Sequence, residues 1–275
     1  MNRRQFLLAA LASALAAPLQ AATNLDDLKA NGSMRVAVYR DFPPFSWTEH
    51  GELRGIDVDL ARAIGQALGM KVNFMPLTAA DDIDGDLRNA IWKGHYLGGG
   101  TADLMLHVPF DPELAQRIHN AVLFGPYYTE QMAWAGQRPP GAVTLIDHGT
   151  RIGVENDSLA DLYLAALQGG RLRPSLQHYP NTPSAARALL AGEIDAVFGP
   201  QSELDWVLAA SAKPVAPLAT PGLVKASWEI GMATKETLRD LGWAVTDALE
   251  TIRQSGLLAK LFASYQVRYT PAAAH

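Results

Sequence analysis

The sequence predicts an α/β fold in two lobes, each a mostly parallel sheet flanked by helices. Strand-like and helix-like segments alternate through the first half, the second half repeats the pattern, and a connection containing Pro139 and Pro140 separates the two. Alternation of this kind builds parallel sheets covered by helices, and paired prolines forbid one continuous element across the join.

Met34 to Tyr39 is a short β-rich run that Pro43 and Pro44 end. From Ile56 to Leu68, apolar Ile56, Leu60, Ile64 and Leu68 recur at helical spacing, and Lys71 to Met75 reads as the next strand. Asp86 to Trp92 reads as helix, Gly98 to Gly100 ends that segment, and Asp103 to Val108 is again strand-like. In the second half Arg151 to Val154 is a strand, Ser158 to Gln168 and Ser184 to Ala191 are helices, and Asp195 to Phe198 is a strand. Trp228 to Ala233 reads as strand and Leu238 to Tyr265 as helix, a tail expected to rejoin the first lobe.

At the N-terminus Arg3 and Arg4 precede an uncharged apolar run from Phe6 to Leu19, then Gln20, Ala21 and Ala22. This is the layout of a signal peptide over residues 1–21, with small residues suited to cleavage. The run is shorter than the roughly 20 apolar residues that span a bilayer. A twin-arginine signal and an ordinary Sec signal both fit. Without residues 1–21 the net charge moves from −5 to −7, which excludes a nucleic-acid binder. The absence of cysteine excludes disulfides, thiol catalysis and cysteine zinc sites. The expectation is an exported, periplasmic protein without membrane insertion after signal removal, monomeric when pure.

Several strings share a family pattern. They are Arg35 through Asp41, Phe42, Pro43, Pro44 and Phe45; Gly55 to Leu60; Arg117 nine residues before Pro126, Tyr127 and Tyr128; Ile152 to Val154 leading into Ser158; Gly192 to Val197; and Gly256, Leu257, Leu258, Leu261 and Tyr265. In this order they resemble the family 3 extracellular solute-binding proteins over nearly all the mature chain. The resemblance implies the type II periplasmic-binding fold, with a ligand cleft between lobes joined by two crossing strands near residues 129–135 and 224–230. Lobe 1 is expected to comprise residues 24–131 and 227–275, and lobe 2 residues 132–226. The implied partners are a small polar, carboxylate-bearing ligand and the permease of an ABC importer, with hinge closure signalling the loaded state. No cofactor or metal and no covalent chemistry are implied.

The same register nominates cleft residues. Arg117 offers a planar fork for a carboxylate, although Asp111, Pro112 and Glu113 precede it by a stretch about two residues longer than the family's turn. Ser158 begins a helix where an anion could be received, with an ordinary N-cap as the competing reading and Asp161 placed to complete a partial capping box. Asp157 beside it brings a negative charge that argues against a strongly anionic ligand. Asp41 and Phe45 fall where the family's first loop lines the cleft, Trp47 nearby is a weaker candidate, and His107 ends a strand facing it. Pro200 stands where amino-acid-binding members hold the ligand ammonium with an aspartate, so a standard α-amino acid is disfavoured. Glu203 or Asp205 could compensate, though both read as exposed residues at a helix start. Asp82, Asp84 and Asp86 lack the glycine and terminal glutamate of a calcium loop and read as a solvated helix start.

Two other classes stay open. The stretch from Leu87 to Pro109 resembles the branch associated with periplasmic quinoprotein alcohol dehydrogenases, which implies a dehydrogenase partner and a maturation role. The same fold also hosts periplasmic dehydratases, and His107, Asp41 and Glu229 could move protons.

Overall fold

The computed structural model describes residues 24–136, 141, 143, 146, 147 and 149–273. The expected signal peptide and the Pro139–Pro140 connection lie outside the described residues.

Along the chain run α1 (Leu25–Asn31), β1 (Ser33–Tyr39), the short strands β2 (Asp41–Phe42), β3 (Ser46–Glu49) and β4 (Glu52–Arg54), α2 (Ile56–Leu68), β5 (Lys71–Leu77) and α3 (Ile83–Leu87). A π-helical turn over Arg88–Trp92 continues α3. Then follow β6 (Leu104–Pro109), α4 (Pro112–Arg117), β7 (Ala121–Gly136), β8 (Ile152–Glu155), α5 (Leu159–Ala166), β9 (Leu176–Tyr179), α6 (Thr182–Ala191), β10 (Ala196–Pro200), α7 (Gln201–Leu208), β11 (Val215–Pro217), β12 (Ser227–Lys235), α8 (Arg239–Gln254) and α9 (Leu257–Ser264).

The strand order is β5-β1-β6-β12-β7-β10-β8-β9, with β11 also on β7 and β2-β3-β4 as a separate small sheet. The β1–β5, β1–β6, β8–β10 and β8–β9 pairs are parallel, as alternating strands and helices require. Strand β7 is antiparallel to both its neighbours in this order and changes sheets along its length. Ala121 to Gln131 pairs with β12, whereas Met132 to Gly136 pairs with β10.

Side-chain alternation divides each sheet between two cores. Val36, Val38, Leu104 and Leu106 face the layer of α2, α8 and α9, while Ala37 and Met105 face that of α3 and α4. In the second sheet Trp134, Ile152 and Phe198 bury one way, and Ala133, Ala135 and Val197 the other, against α6 and α7.

The tail does rejoin the first core, but as two helices. Gly256 at φ 72° breaks the expected single helix and lets α9 fold back, because that left-handed backbone costs glycine little. Phe262 on α9 is fully buried, with its ring 4.6 Å from Tyr128 and 5.0 Å from Tyr269. Phe262→Ala is expected to cost about 3–5 kcal/mol of stability, measured by equilibrium urea unfolding; a loss under 1 kcal/mol would show that α9 is not part of this core.

Candidate functional site

A cavity of about 500 Å³ opens between the two sheets. Tyr39, Arg40, Asp41 and Phe42 wall it from the end of β1 and from β2; Thr78 and Ala79 from the segment between β5 and α3; Asp86 from α3; Trp228 and Ile230 from β12. Pro200 faces it from the end of β10, Glu203 from α7, and Glu130 from β7 itself.

His107 is positioned by a bulge. Between Met105 and Val108 on β6, the partner strand β12 advances only from Ala233 to Gly231, so β6 carries an extra residue. His107 takes up that excess at φ 60° and turns into the cavity wall, out of strict alternation. Its Nδ1 lies 3.0 Å from Asp57 Oδ2, while Tyr127 donates its hydroxyl to Asp57 Oδ1 at 2.6 Å. Asp57, fully buried at the start of α2, thus has both oxygens engaged, and with Nδ1 on the carboxylate the imidazole's other nitrogen is the one left for a ligand. Phe45 lies behind the wall, buried, 5.5 Å from Phe42 and 4.2 Å from His107 ring to ring. Gly55 admits this arrangement, since a Cβ there would sit 2.1 Å from the Phe45 carbonyl oxygen.

Three carboxyls in the wall are buried and pushed upward by desolvation. Asp86 accepts from Tyr39 Oη at 2.7 Å and from Ala80 N at 2.7 Å, yet burial still raises its pKa. Glu130 accepts from the Ser202 hydroxyl and, at 2.8 Å, from Gln131 N; burial outweighs both. Glu203 is 6% exposed, and burial and neighbouring charges, not hydrogen bonds, govern its carboxyl. Burial, followed by the charges of Glu155 and Glu130, holds its carboxyl well above the usual range.

The sequence-predicted residues divide accordingly. Asp41 and His107 line the cavity, and Phe45 backs it. Arg117 closes α4 and forks onto Asp84, with Nε to Oδ2 at 2.9 Å and the second nitrogen to Oδ1 at 2.8 Å, in a separate surface depression. The added length before it forms the first turn of α4, which Asp111 caps by accepting from Glu113 N and Leu114 N, and this carries Arg117 to the far end of the helix. Ser158 caps α5 by accepting from Asp161 N, and Asp161 in turn accepts from Asp157 N. Asp157 stands at φ 56°, its carboxylate on Asn156 Nδ2, and neither it nor Ser158 is among the residues lining the cavity.

Two readings need correction. Glu203 and Asp205 are buried, because α7 packs against β7; Asp205 is gripped by Arg268 through Nε and a terminal nitrogen. Asp86 is likewise buried, not solvated. Glu229 lies off the cavity and accepts from Ala273 N.

Sequence reading missed Tyr39, Arg40, Phe42, Asp86, Glu130 and Trp228 as wall residues. One signal was available, since Glu130 is the single charged residue in the sixteen of β7.

A raised carboxyl stabilises the fold below its ordinary titration range and loses that contribution as pH rises through the raised value. Glu203→Gln is therefore expected to raise the melting temperature at pH 8 and to change it little at pH 4; an equal effect at both pH values would show that Glu203 does not titrate high.

A model of the bacterial extracellular solute-binding proteins, family 3, matches residues 34–90. The cyclohexadienyl dehydratase of Pseudomonas aeruginosa is 42% identical over 71 residues, 25% of this chain and 26% of that protein. A probable histidine-binding protein of Neisseria gonorrhoeae is 23% identical over 96% of both chains. Among solved structures, an ancestral cationic amino acid solute-binding protein aligns with TM-score 0.67 at 21% identity, covering 88% of this chain and 98% of that one. The amino acid ABC transporter substrate-binding protein AbpA of Streptococcus pneumoniae, bound to L-arginine, aligns with TM-score 0.60 at 22% identity, covering 88% and 97%. Among the described residues no helix is long and apolar enough to cross a membrane. Residues 34–90 thus match the family 3 model, and over 88% of the chain the fold is the two-lobed type II fold of these structures.

Proposed function

We propose that this protein is a periplasmic solute-binding protein that closes two lobes, residues 24–131 with 227–275 and residues 132–226, on a small polar ligand and presents it to an ABC permease. The observation that carries this reading is the cavity itself, whose wall draws on both sheets and on β7, the strand they share. A ligand there touches both lobes and favours their closed arrangement by that differential contact. Its size lies within the range of small-molecule sites, and Tyr39, Phe42 and Trp228 supply apolar wall around a few polar groups. The carboxylate expected of the ligand has less support, because Arg117 is spent on Asp84 outside the cavity. A quinoprotein dehydrogenase partner draws no support from the relatives named above.

A thermal-shift screen of the mature protein against amino acids, amines, small carboxylates and neutral polyols tests the proposal. A ligand at 100 times its dissociation constant adds about 2.7 kcal/mol, so a true ligand raises the melting temperature clearly. Trp228→Ala is expected to abolish that rise; a shift that survives the substitution would place the ligand elsewhere.

Catalysis is a second reading, favoured by the pairing of His107 with Asp57 across the cavity from Glu203. Protonated Glu203 would give its proton to a leaving hydroxyl, which departs as water, while the imidazole takes a proton from the adjacent carbon. Turnover of a cyclic hydroxy acid, lost in His107→Ala, would support it; binding without turnover supports the binder.

A further inference from the structure

We propose that Arg268, which lies outside the cavity, is a positioning residue for it: through this side chain the C-terminal tail clasps α7 and holds the second lobe's wall against the first. The clasp rests on the two-lobed solute-binding reading and adds to it a contact apart from both the ligand and the crossing strands.

The tail that follows α9 is rooted in the first core. Val267 is buried there, and the ring of Tyr269 lies 5.0 Å from that of Phe262. Further on, Thr129 of β7 donates its backbone N–H to Thr270 O at 2.9 Å and its hydroxyl to Pro271 O at 3.0 Å, and Ala273 N donates to Glu229 of β12 at 2.6 Å. Between the two inward residues Val267 and Tyr269, Arg268 turns the other way, toward α7.

What it reaches belongs to the second sheet and its helices. Nε lies 2.9 Å from Asp205 Oδ2 and a terminal nitrogen 2.8 Å from Oδ1, while the backbone N–H of Arg268 donates to the same carboxylate at 3.2 Å. The terminal nitrogen also donates to Val215 O of β11 at 3.1 Å, so one guanidinium ties α7 and β11 to the tail. The Asp205 side chain is buried and that of Arg268 half-exposed. A forked pair of this kind fixes direction as well as distance. Beside Asp205, Trp206 packs against the first core, its ring 5.4 Å from Trp47, which in turn lies 5.8 Å from Tyr265 at the end of α9.

The same helix carries Glu203 into the cavity wall, opposite Tyr39, Phe42 and His107. Seating Asp205 and Trp206 against the first core therefore sets how far those walls stand apart. The bonds to Thr129 and Glu229 stay within the first lobe, whereas those of Arg268 cross to the second and break when α7 leaves the first core. A buried ion pair adds little net stability, because desolvation offsets its attraction, but loss of one partner leaves the other uncompensated. The pair thus acts on the arrangement of the lobes more than on the stability of either.

Pulsed dipolar electron spin resonance between two nitroxide labels, with no ligand added, tests the clasp. The chain has no cysteine of its own, and the exposed Trp243 on α8 and Leu162 on α5 give one label site on each lobe as Trp243→Cys and Leu162→Cys. With Arg268 intact a narrow distance distribution is expected. Arg268→Ala should broaden and shift it, Asp205→Asn should do the same, and the two together should do no more than either alone, as partners in one contact do. Arg268→Lys, which keeps the charge and loses the fork, should fall between, and it supplies the reading if the alanine variant does not fold. An unchanged distribution in these variants overturns the proposal, and so does a lower urea midpoint with unchanged distances, which would make the pair merely structural. If distances stay fixed while a compound of the thermal-shift panel binds, the clasp falls and the solute-binding reading stands. If distances move while the whole panel is silent, the clasp stands and that reading falls.

Discussion

Strand β7 is hydrogen-bonded to β12 as far as Gln131 and to β10 from Met132 onward, so two sheets are built on one backbone. That sharing constrains everything near the cavity. Neither sheet can turn against the other without bending β7 or the chain at Ala226 and Ser227, where Ala226 accepts a hydrogen bond from Met132 N. Contacts close to this axis also bridge the lobes. Arg268, which follows the first core's Val267, holds Asp205 of α7, and Trp47 of β3 lies 5.4 Å from Trp206. The cavity sits on the same axis, with wall residues from β7 and from both sheets it joins.

Within that frame, buried carboxyls are handled in two ways. Asp57 is saturated by Tyr127 and His107 and serves to hold a ring in place. Glu130 and Glu203 lie under desolvation that their surroundings do not repay, and their pKa values move upward. The first arrangement gives a fixed group with one free nitrogen. The second leaves carboxyls whose burial disfavours their charged form.

Much of the fold was legible because its signals are local. The run from Ile56 to Leu68 became α2 with matching bounds, and Met34 to Tyr39 lies within β1, since hydrophobic period is set by the element's own geometry. The full length of β7 was not legible, because its sixteen residues satisfy two different environments in succession and show no single period. The break at Gly256 was missed because helical spacing persists on both sides of it. In the site, Asp41 and His107 could be placed by resemblance. The bulge that aims His107 is a property of the β6–β12 register and cannot be read from Leu104 to Pro109 alone. Arg117 shows the converse failure, where a familiar spacing ends at a different address once α4 gains a capped turn.

The location of Glu203 joins the electrostatics to the boundary between the sheets. It rides on the first turn of α7, attached to the second sheet, whereas Tyr39, Phe42, His107 and Trp228 belong to the first. Burial at this boundary is the main cause that raises its carboxyl, with the charges of Glu155 and Glu130 adding to it. A carboxyl held well above its usual range thus stands where the wall residues of the two sheets meet.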